Sequence, residues 1–465
     1  MTSGRRGWLA RHRISATIAV GIVVAALPAA WGVDRFTRTA PATLVVLTSW
    51  TDTGEASAFQ AVVDDFQKAM HGTIQVEIES SRDENEVLQS GIQNGDPPDL
   101  AVLPNPGALQ QYVSEGYVKA LDDLQDRSLS RQISGDLEHD FGPLWNRVVD
   151  AGTGHPYALV VKADVKSLIW YGPGVRAPAP APADWDQLLA YGDSVARPGA
   201  APWCIGLSDV STAGWPGTDW IEDILLQQSG STVYDEWVDG DRAASWNSAP
   251  VSAAWQRWGQ LLAGAGQVYG GDLNALAMPA GDTDDPMFAP AGPACELSHG
   301  ASLETGSGVA ATSGEYGDFP FPGAAADRTY EVSADVMGIF HDTPQAEQFA
   351  AYLAGPTGQE IWPQHQKDSA FSADTAPAVL DKLSSVYAGD KIAAGIEKIL
   401  TDKTATLCYD ASDLMPPAME AAFERAVLEY VSDPGRLPSI LDELATVRNG
   451  AYPRTYGLTG CSSGN

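Results

Sequence analysis

The sequence predicts an α/β protein of two lobes, and three observations carry that expectation. The chain has 465 residues, whereas a single hydrophobic core stops growing at roughly 250–300 residues. Between residues 43 and 116, short apolar strand-like runs alternate with segments of helical apolar period. That alternation is the signature of a mostly parallel sheet covered by helices. Hydrophobic residues make up 44% and charged residues 19% of the chain, which places it among folded rather than disordered proteins.

From the N-terminal side, Leu44–Leu47 is a continuous apolar run, read as a buried strand. Asp52 or Thr53 can cap a helix whose inner face is Phe59, Val62, Val63 and Phe66. Ile74, Val76 and Ile78 alternate with polar residues as a second strand, and Val87, Leu88 and Ile92 mark a second helix. Residues 99–103 read as a third strand, followed by a helix with Leu109, Tyr112 and Val113 and a candidate C-cap at Gly116. In such sheets ligands bind at the carboxyl ends of the strands, here Thr48–Asp52, Ser80–Asp83 and Pro104–Gly107. Residues 156–171 form a long strand-like stretch suited to carry the chain from one lobe to the next, and 172–186 is a Pro/Ala-rich surface loop. Helices are expected at Trp220–Gln228, Ala253–Leu262 and Met419–Tyr430, with Gly/Pro-rich loops at 278–294 and 317–325.

The first 40 residues read as a signal or anchor segment. Arg5, Arg6, Arg11 and Arg13 precede an uncharged stretch from Ile14 to Val33, an order that leaves the N-terminal flank cytoplasmic and exports the remainder of the chain. The length of that stretch suits an uncleaved membrane helix, while the small residues between Ala26 and Ala30 would suit cleavage and secretion. The cysteines are Cys204, Cys295, Cys408 and Cys461, without metal-ligand spacing. An even number in an oxidising compartment suggests two disulfides. Three pairings are possible, and Cys204–Cys295 with Cys408–Cys461 keeps each pair within one sequence neighbourhood; four buried thiols are the alternative.

The net charge of −32 repels phosphate backbones and argues against a nucleic-acid partner. No nucleophile elbow, phosphate loop or zinc-binding HExxH motif appears, and no cofactor or metal site is expected. A glycosidase remains a rival only because 60 acidic residues always leave room for a carboxylate pair. Tryptophan is abundant at 14 residues, and an indole exposed on a loop suits the C–H face of a sugar ring.

Four segments carry a resemblance to a known family: LTSWTDTGEASAFQAVVDDF at 47–66, NGDPPDLAVLPNPGALQQYVSEG at 94–116, VKADVKSLIWY at 161–171 with GWPGTDWIEDILL at 214–226, and YDASDLMP at 409–416. They resemble extracellular solute-binding proteins of family 1, the maltose-binding type, in an actinobacterial-style branch associated with oligosaccharide import. The resemblance implies a two-lobed, type II periplasmic-binding-protein-like fold with hinge-crossing strands and a central ligand cleft. It implies lobes at 41–162 plus 333–370 and at 163–332 plus 371–460. It further implies no enzymatic activity, a carbohydrate ligand, ABC permease subunits as partners, and a monomer. A ligand-sensing receptor uncoupled from transport is the alternative function.

A sugar site needs planar groups for stacking and paired donors and acceptors for hydroxyls, with charged groups giving the stronger hydrogen bonds. Strand-end position and family position single out Trp50 and Thr51, then Arg82 and Asp83, then Asn105. The bland readings are a Trp covering the sheet edge, a surface ion pair and a turn residue. In the second lobe Trp215, beside Pro216 and Gly217, reads as a loop residue that stacks. Asp219 is a ligand candidate, although Thr218 or Asp219 can instead cap the following helix, and Trp220 reads as core. The resemblance adds Asp335, with Ala334 where relatives carry Gly, and Trp362, whose bland reading is helix packing. Asp410 and Asp413 either face the cleft or fasten the C-terminal helices. Relatives often read Cys-x-x-His-x-Gln-Ala-Ser-Phe where this chain has Cys295 followed by His299 and Leu303, so the resemblance leaves the particular sugar open.

Overall fold

The computed structural model describes residues 40–51, 53–240, 245–302, 316–366, 370–452, 456–458 and 460–462. The anchor expected before residue 40 and the candidate cap Asp52 lie outside them. The strands are β1 (Ala42–Thr48), β2 (Ile74–Ser80), β3 (Leu100–Leu103), β4 (Ala158–Val165), β5 (Leu168–Tyr171), β6 (Ala201–Trp203), β7 (Cys295–His299), β8 (Gly317–Pro320), β9 (Thr329–Ile339), β10 (Thr406–Tyr409) and β11 (Cys461–Ser462).

Two sheets organise the chain. The first runs β11-β10-β9-β3-β1-β2, with β4 also paired to β9, and the second runs β6-β7-β5-β8. β1 is parallel to both β2 and β3, as βαβ connections require. The helix Thr53–Ala69 turns Phe59, Val62, Val63 and Phe66 fully into the core, which is why its apolar residues recur at helical spacing. The helices Glu84–Asn94 and Pro106–Ser114 complete this unit.

β9 is the long member. Its start lies parallel to β10, its end lies antiparallel to β3, and β4 runs antiparallel beside most of it. After β4 the chain turns at Lys166 and Ser167 and enters the second sheet as β5. The stretch expected at 156–171 is therefore two strands. Ser167 explains the break: its hydroxyl accepts the Glu331 N–H at 2.8 Å in place of a ladder carbonyl.

The segment at 317–325, expected as a loop, contains β8 and a short helix, Ala324–Asp327. β8 pairs antiparallel with β5 at the edge of its sheet, where Pro320 costs no ladder bond. A Cβ at residue 317 would lie 2.2 Å from the Tyr171 hydroxyl, so a larger residue there would displace that ring. Helices do dominate the surroundings of this sheet: Trp215–Val238, Ala249–Ala263, Pro417–Ser432 and Leu437–Ala451 pack on one another. The helices Pro377–Val386 and Lys391–Leu400 lie against the helix Pro356–His365 and β4 respectively. Cys204 is bonded to Cys295 and Cys408 to Cys461. No helix among the described residues is long and apolar enough to cross a membrane.

Candidate functional site

The carboxyl ends of β1, β2 and β3 lie side by side. Thr48 Oγ1 and Ser80 Oγ are 3.0 Å apart, and Arg82 Nε donates to Thr51 Oγ1 at 3.2 Å. Arg82 is thus held by Thr51 rather than paired with Asp83. Asp83 precedes the helix Glu84–Asn94, makes no capping bond with its side chain, and donates its N–H to Ser81. Asn105 donates to both carboxyl oxygens of Glu420, at 3.1 and 2.9 Å, and Ser211 Oγ donates to the Arg82 carbonyl at 2.9 Å. These bonds join the strand ends of the first sheet to the first turn of the helix Pro417–Ser432 and to the segment before the helix Trp215–Val238. At the same seam Gly107 packs directly on the backbone of Leu414 and Met415.

A row of charges runs along β4 into the turn beyond it. Lys162 and Asp164 point to one face because they alternate, and Lys166 continues the spacing. Lys162 is 8% exposed. Its ammonium lies 2.6 Å from Glu55, 3.4 Å from Asp335 and 3.5 Å from Asp164. Lys166 reaches Asp219 at 3.2 Å and also Asp410. Burial on its own would lower both lysine pKa values, but the carboxylates outweigh it and hold both well above the usual lysine range. Asp410 shows the same contest: burial pushes it up, yet Lys166 brings it below the usual carboxylate value. Burial drives Asp219 up to about 6 despite Lys166. Buried ions persist only when paired this closely.

Aromatic groups stand at both ends of the row. Trp50 Nε1 donates to Asp335 Oδ2 at 3.0 Å, and the Trp50 ring meets Trp362 edge-on at 4.4 Å and Phe59 at 4.9 Å. Trp50 and Trp362 are each 2% exposed, so they back the site and offer no open face. Trp215 is different. Every other tryptophan among the described residues is buried, and Trp215 is the exception. It is not on a loop: it opens the helix Trp215–Val238 behind an N-cap glycine, Gly214, at φ +113°, a conformation suited to glycine. The helix start therefore needs no cap from Thr218 or Asp219. Thr218 bonds the Trp215 carbonyl and meets Ser412, while Asp219 faces Lys166. The Trp215 indole N–H donates to Asp209 at 3.2 Å, and Lys166 Nζ lies 5.5 Å from its ring centroid.

Asp410 is 0% exposed, and both of its carboxyl oxygens are engaged by protein groups. Oδ1 caps the short helix Ala411–Leu414 through the Asp413 N–H and accepts from Ser412 Oγ, and Oδ2 faces Lys166. Burial and the Asp410 charge raise Asp413 well above the usual range. The His299 side chain is fully buried, bonded to Asp223 at 3.0 Å and packed on Trp220; it holds β7 to the helix Trp215–Val238. Leu303 lies outside the described residues.

Sequence reasoning missed Glu55, Lys162, Asp164, Lys166 and Glu420. Its available signal was Lys162, Asp164 and Lys166 at alternate positions in an otherwise apolar strand-like stretch, since charges spaced that way on a buried strand must have partners.

Three glutamates near the seam carry a testable pH dependence. Burial raises Glu84 to about 7, Glu420 to about 8 and Glu424 to about 9, against 4.5 in the unfolded chain. The folded state then binds more protons than the unfolded one between those limits. Stability from these groups is present in full below about pH 4.5 and is lost as pH rises through 7 to 9. The paired lysines stay charged and Asp410 stays ionised across that window. The melting temperature should therefore fall by about 2–5 °C between pH 5.5 and pH 9. A flat or rising profile would contradict the burial of these groups.

Residues 50–360 match the family described as bacterial extracellular solute-binding protein. The chain is 28% identical over 349 residues to the osmoprotective compounds-binding protein GgtB of Synechocystis sp., covering 73% of this chain and 77% of that one. It is 29% identical over 400 residues to the alpha-glucosides-binding periplasmic protein AglE of Rhizobium meliloti, covering 84% and 83%. Among solved structures it is similar to the solute receptor AcbH (TM-score 0.67, 15% identity, 88% of this chain and 97% of that one). It is also similar to a sugar transporter of Arthrobacter chlorophenolicus with bound laminaribiose (TM-score 0.66, 16% identity, 89% and 100%) and to maltose-bound MalE3 of T. maritima (TM-score 0.64, 15% identity, 88% and 100%). The architecture is thus the two-lobed α/β fold of the periplasmic binding proteins. With two thirds of its length matched, the chain belongs to the bacterial extracellular solute-binding protein family, whose members bind solutes and are not enzymes.

Proposed function

We propose that this protein binds an oligosaccharide or another carbohydrate between its lobes and delivers it to the permease subunits of an ABC importer. One observation carries the reading: Trp215, alone among the described tryptophans in remaining open, stands beside Lys166 at the end of the β4 charge row. A sugar ring needs that pairing of an indole face with a ladder of alternating donors and acceptors. The ligand classes for which AglE and GgtB are named, and the sugars bound in similar structures, support the ligand class.

In this reading Trp215 stacks on the ligand. Thr51, Arg82, Asp83, Asn105, Asp219, Asp335 and Asp410 bond its hydroxyls, with Trp50 fixing Asp335 from behind and Trp362 packing on Trp50. The lobes are 41–162 plus 333–370 and 163–332 plus 371–460, hinged where β4 and β9 run together. Closure results because the ligand contacts both lobes and favours the state in which it touches both. The run from Ile14 to Val33 tethers the folded part to the outer side of the membrane. In this reading the chain belongs to an actinobacterial-style branch of the family, which the four strings resemble.

A thermal-shift screen with mono-, di- and oligosaccharides tests this, because a ligand that binds only the folded state raises its melting temperature. At least one sugar should give a clear shift, with affinity near micromolar, about −8 kcal/mol. Trp215→Ala should weaken that sugar about tenfold by removing the stacked ring. No shift with any sugar overturns the carbohydrate assignment.

A further inference from the structure

Behind the β4 charge row lies an acidic cluster that shares only Asp410 with the proposed sugar site. Glu222 comes from the helix Trp215–Val238, Glu331 from β9 and Asp410 from the segment after β10. All three are 0% exposed, and one carboxyl oxygen from each lies within 4.8 Å of the others. Oxygens that share a cation at bond lengths of 2.3–2.6 Å stand about that far apart or nearer.

The local partners neutralise this group only in part, since one ammonium is shared between Asp410 and a carboxylate outside it. Lys166 serves Asp219 and Asp410, and His299 faces Asp223. Glu222 accepts the N–H groups of Ala411 and Ser412. Glu331 is left over: neither of its carboxyl oxygens has a hydrogen-bond partner among the described residues, although its backbone N–H and carbonyl are bonded to Ser167 and Lys166. A fully buried carboxylate with nothing to bind carries a desolvation cost of several kcal/mol. Burial accordingly pushes Glu222 and Glu331 well above the usual carboxylate range.

We propose that Glu222, Glu331 and Asp410 together hold one Ca2+ ion. The donors are all carboxylate oxygens, with no imidazole or thiolate, so a hard cation fits rather than zinc. Several of these oxygens already accept N–H bonds, and the site excludes water. Mg2+ demands a near-ideal octahedron and keeps its waters, whereas Ca2+ accepts irregular, crowded oxygen shells. The ion joins three chain segments far apart in sequence, next to the Lys166–Asp410 pair. It would brace the rear wall of the cleft, with Asp410 the one side chain common to the ion and the sugar site.

The test uses the full-length protein in mild detergent and 0.15 M KCl. Equilibrium dialysis against micromolar to millimolar Ca2+ should give one ion bound per chain. The melting temperature should rise by about 2–5 °C from 1 mM EDTA to 2 mM CaCl2, with a smaller change in equimolar MgCl2. Glu331→Gln, which keeps the shape and removes the charge, should fold and lose both the bound ion and the response. If that variant does not fold, Glu222→Gln replaces it. Absence of bound Ca2+ in the wild type, an equal response to Mg2+, or a variant that keeps its Ca2+ would overturn the proposal, leaving shared protons to neutralise the cluster.

Discussion

Lys166→Met should destabilise the protein by about 3–5 kcal/mol at pH 8, because it strands buried carboxylates without their cation. Asp219 is 2% and Asp410 0% exposed, and both face the Lys166 ammonium. Methionine fills much of the same space, so packing changes little and the loss is electrostatic. At the unfolding entropy typical of globular proteins, the melting temperature should fall by about 3–6 °C. The deficit has a pH signature. Without Lys166 both aspartates have folded pKa values raised above their unfolded ones, so their contribution is restored as pH falls and lost as it rises. The gap between variant and wild type should narrow at pH 5 and widen at pH 8. Equal melting temperatures at pH 8 would show that Lys166 is not the group that keeps this cluster folded.

Gly107→Ala addresses the seam between the strand ends and the C-terminal segment. A Cβ at residue 107 would lie 1.9 Å from the Met415 carbonyl oxygen and 2.7 Å from its carbonyl carbon. Both atoms are backbone, so no rotamer change relieves the clash and the two segments must separate. If they belong to different lobes, as proposed, the free protein relaxes by opening and the cost falls on closure. The melting temperature of the free variant should then stay within about 2 °C of wild type, while sugar affinity falls about 10–100-fold. A large drop in melting temperature with unchanged affinity would mean that this contact is a fixed part of one core.

The sequence exposed the first sheet well because most of β1 and all of β3 are buried on both faces, β2 alternates buried with exposed residues, and the helices bury one stripe each. Leu44–Leu47 and Phe59, Val62, Val63 and Phe66 therefore carried legible periods. Strand-end logic also singled out Thr51 and Arg82, which the fold brings into contact with each other. The second sheet was less legible for local reasons. β8 carries Gly317 and Pro320, which read as loop residues until β5 is known to lie beside them. The helix at Trp215 starts behind Gly214 with Pro216 in its first turn, so its beginning resembles a loop. The ion pairs were hidden for a different reason. Lys166 lies 53 residues from Asp219 and 244 from Asp410, and no local pattern announces a partner at such distance. The three glutamate and aspartate side chains of the proposed Ca2+ site are equally scattered.

At the centre of the proposed function, a sugar is held by closure of two lobes about β4 and β9. Small-angle scattering on the wild-type protein, without and with a saturating amount of the sugar that gives the largest thermal shift, tests it most directly. Closure predicts a smaller radius of gyration with sugar bound, and no such compaction in Gly107→Ala. Calorimetric binding of that sugar with an unchanged scattering profile in the wild type would contradict it.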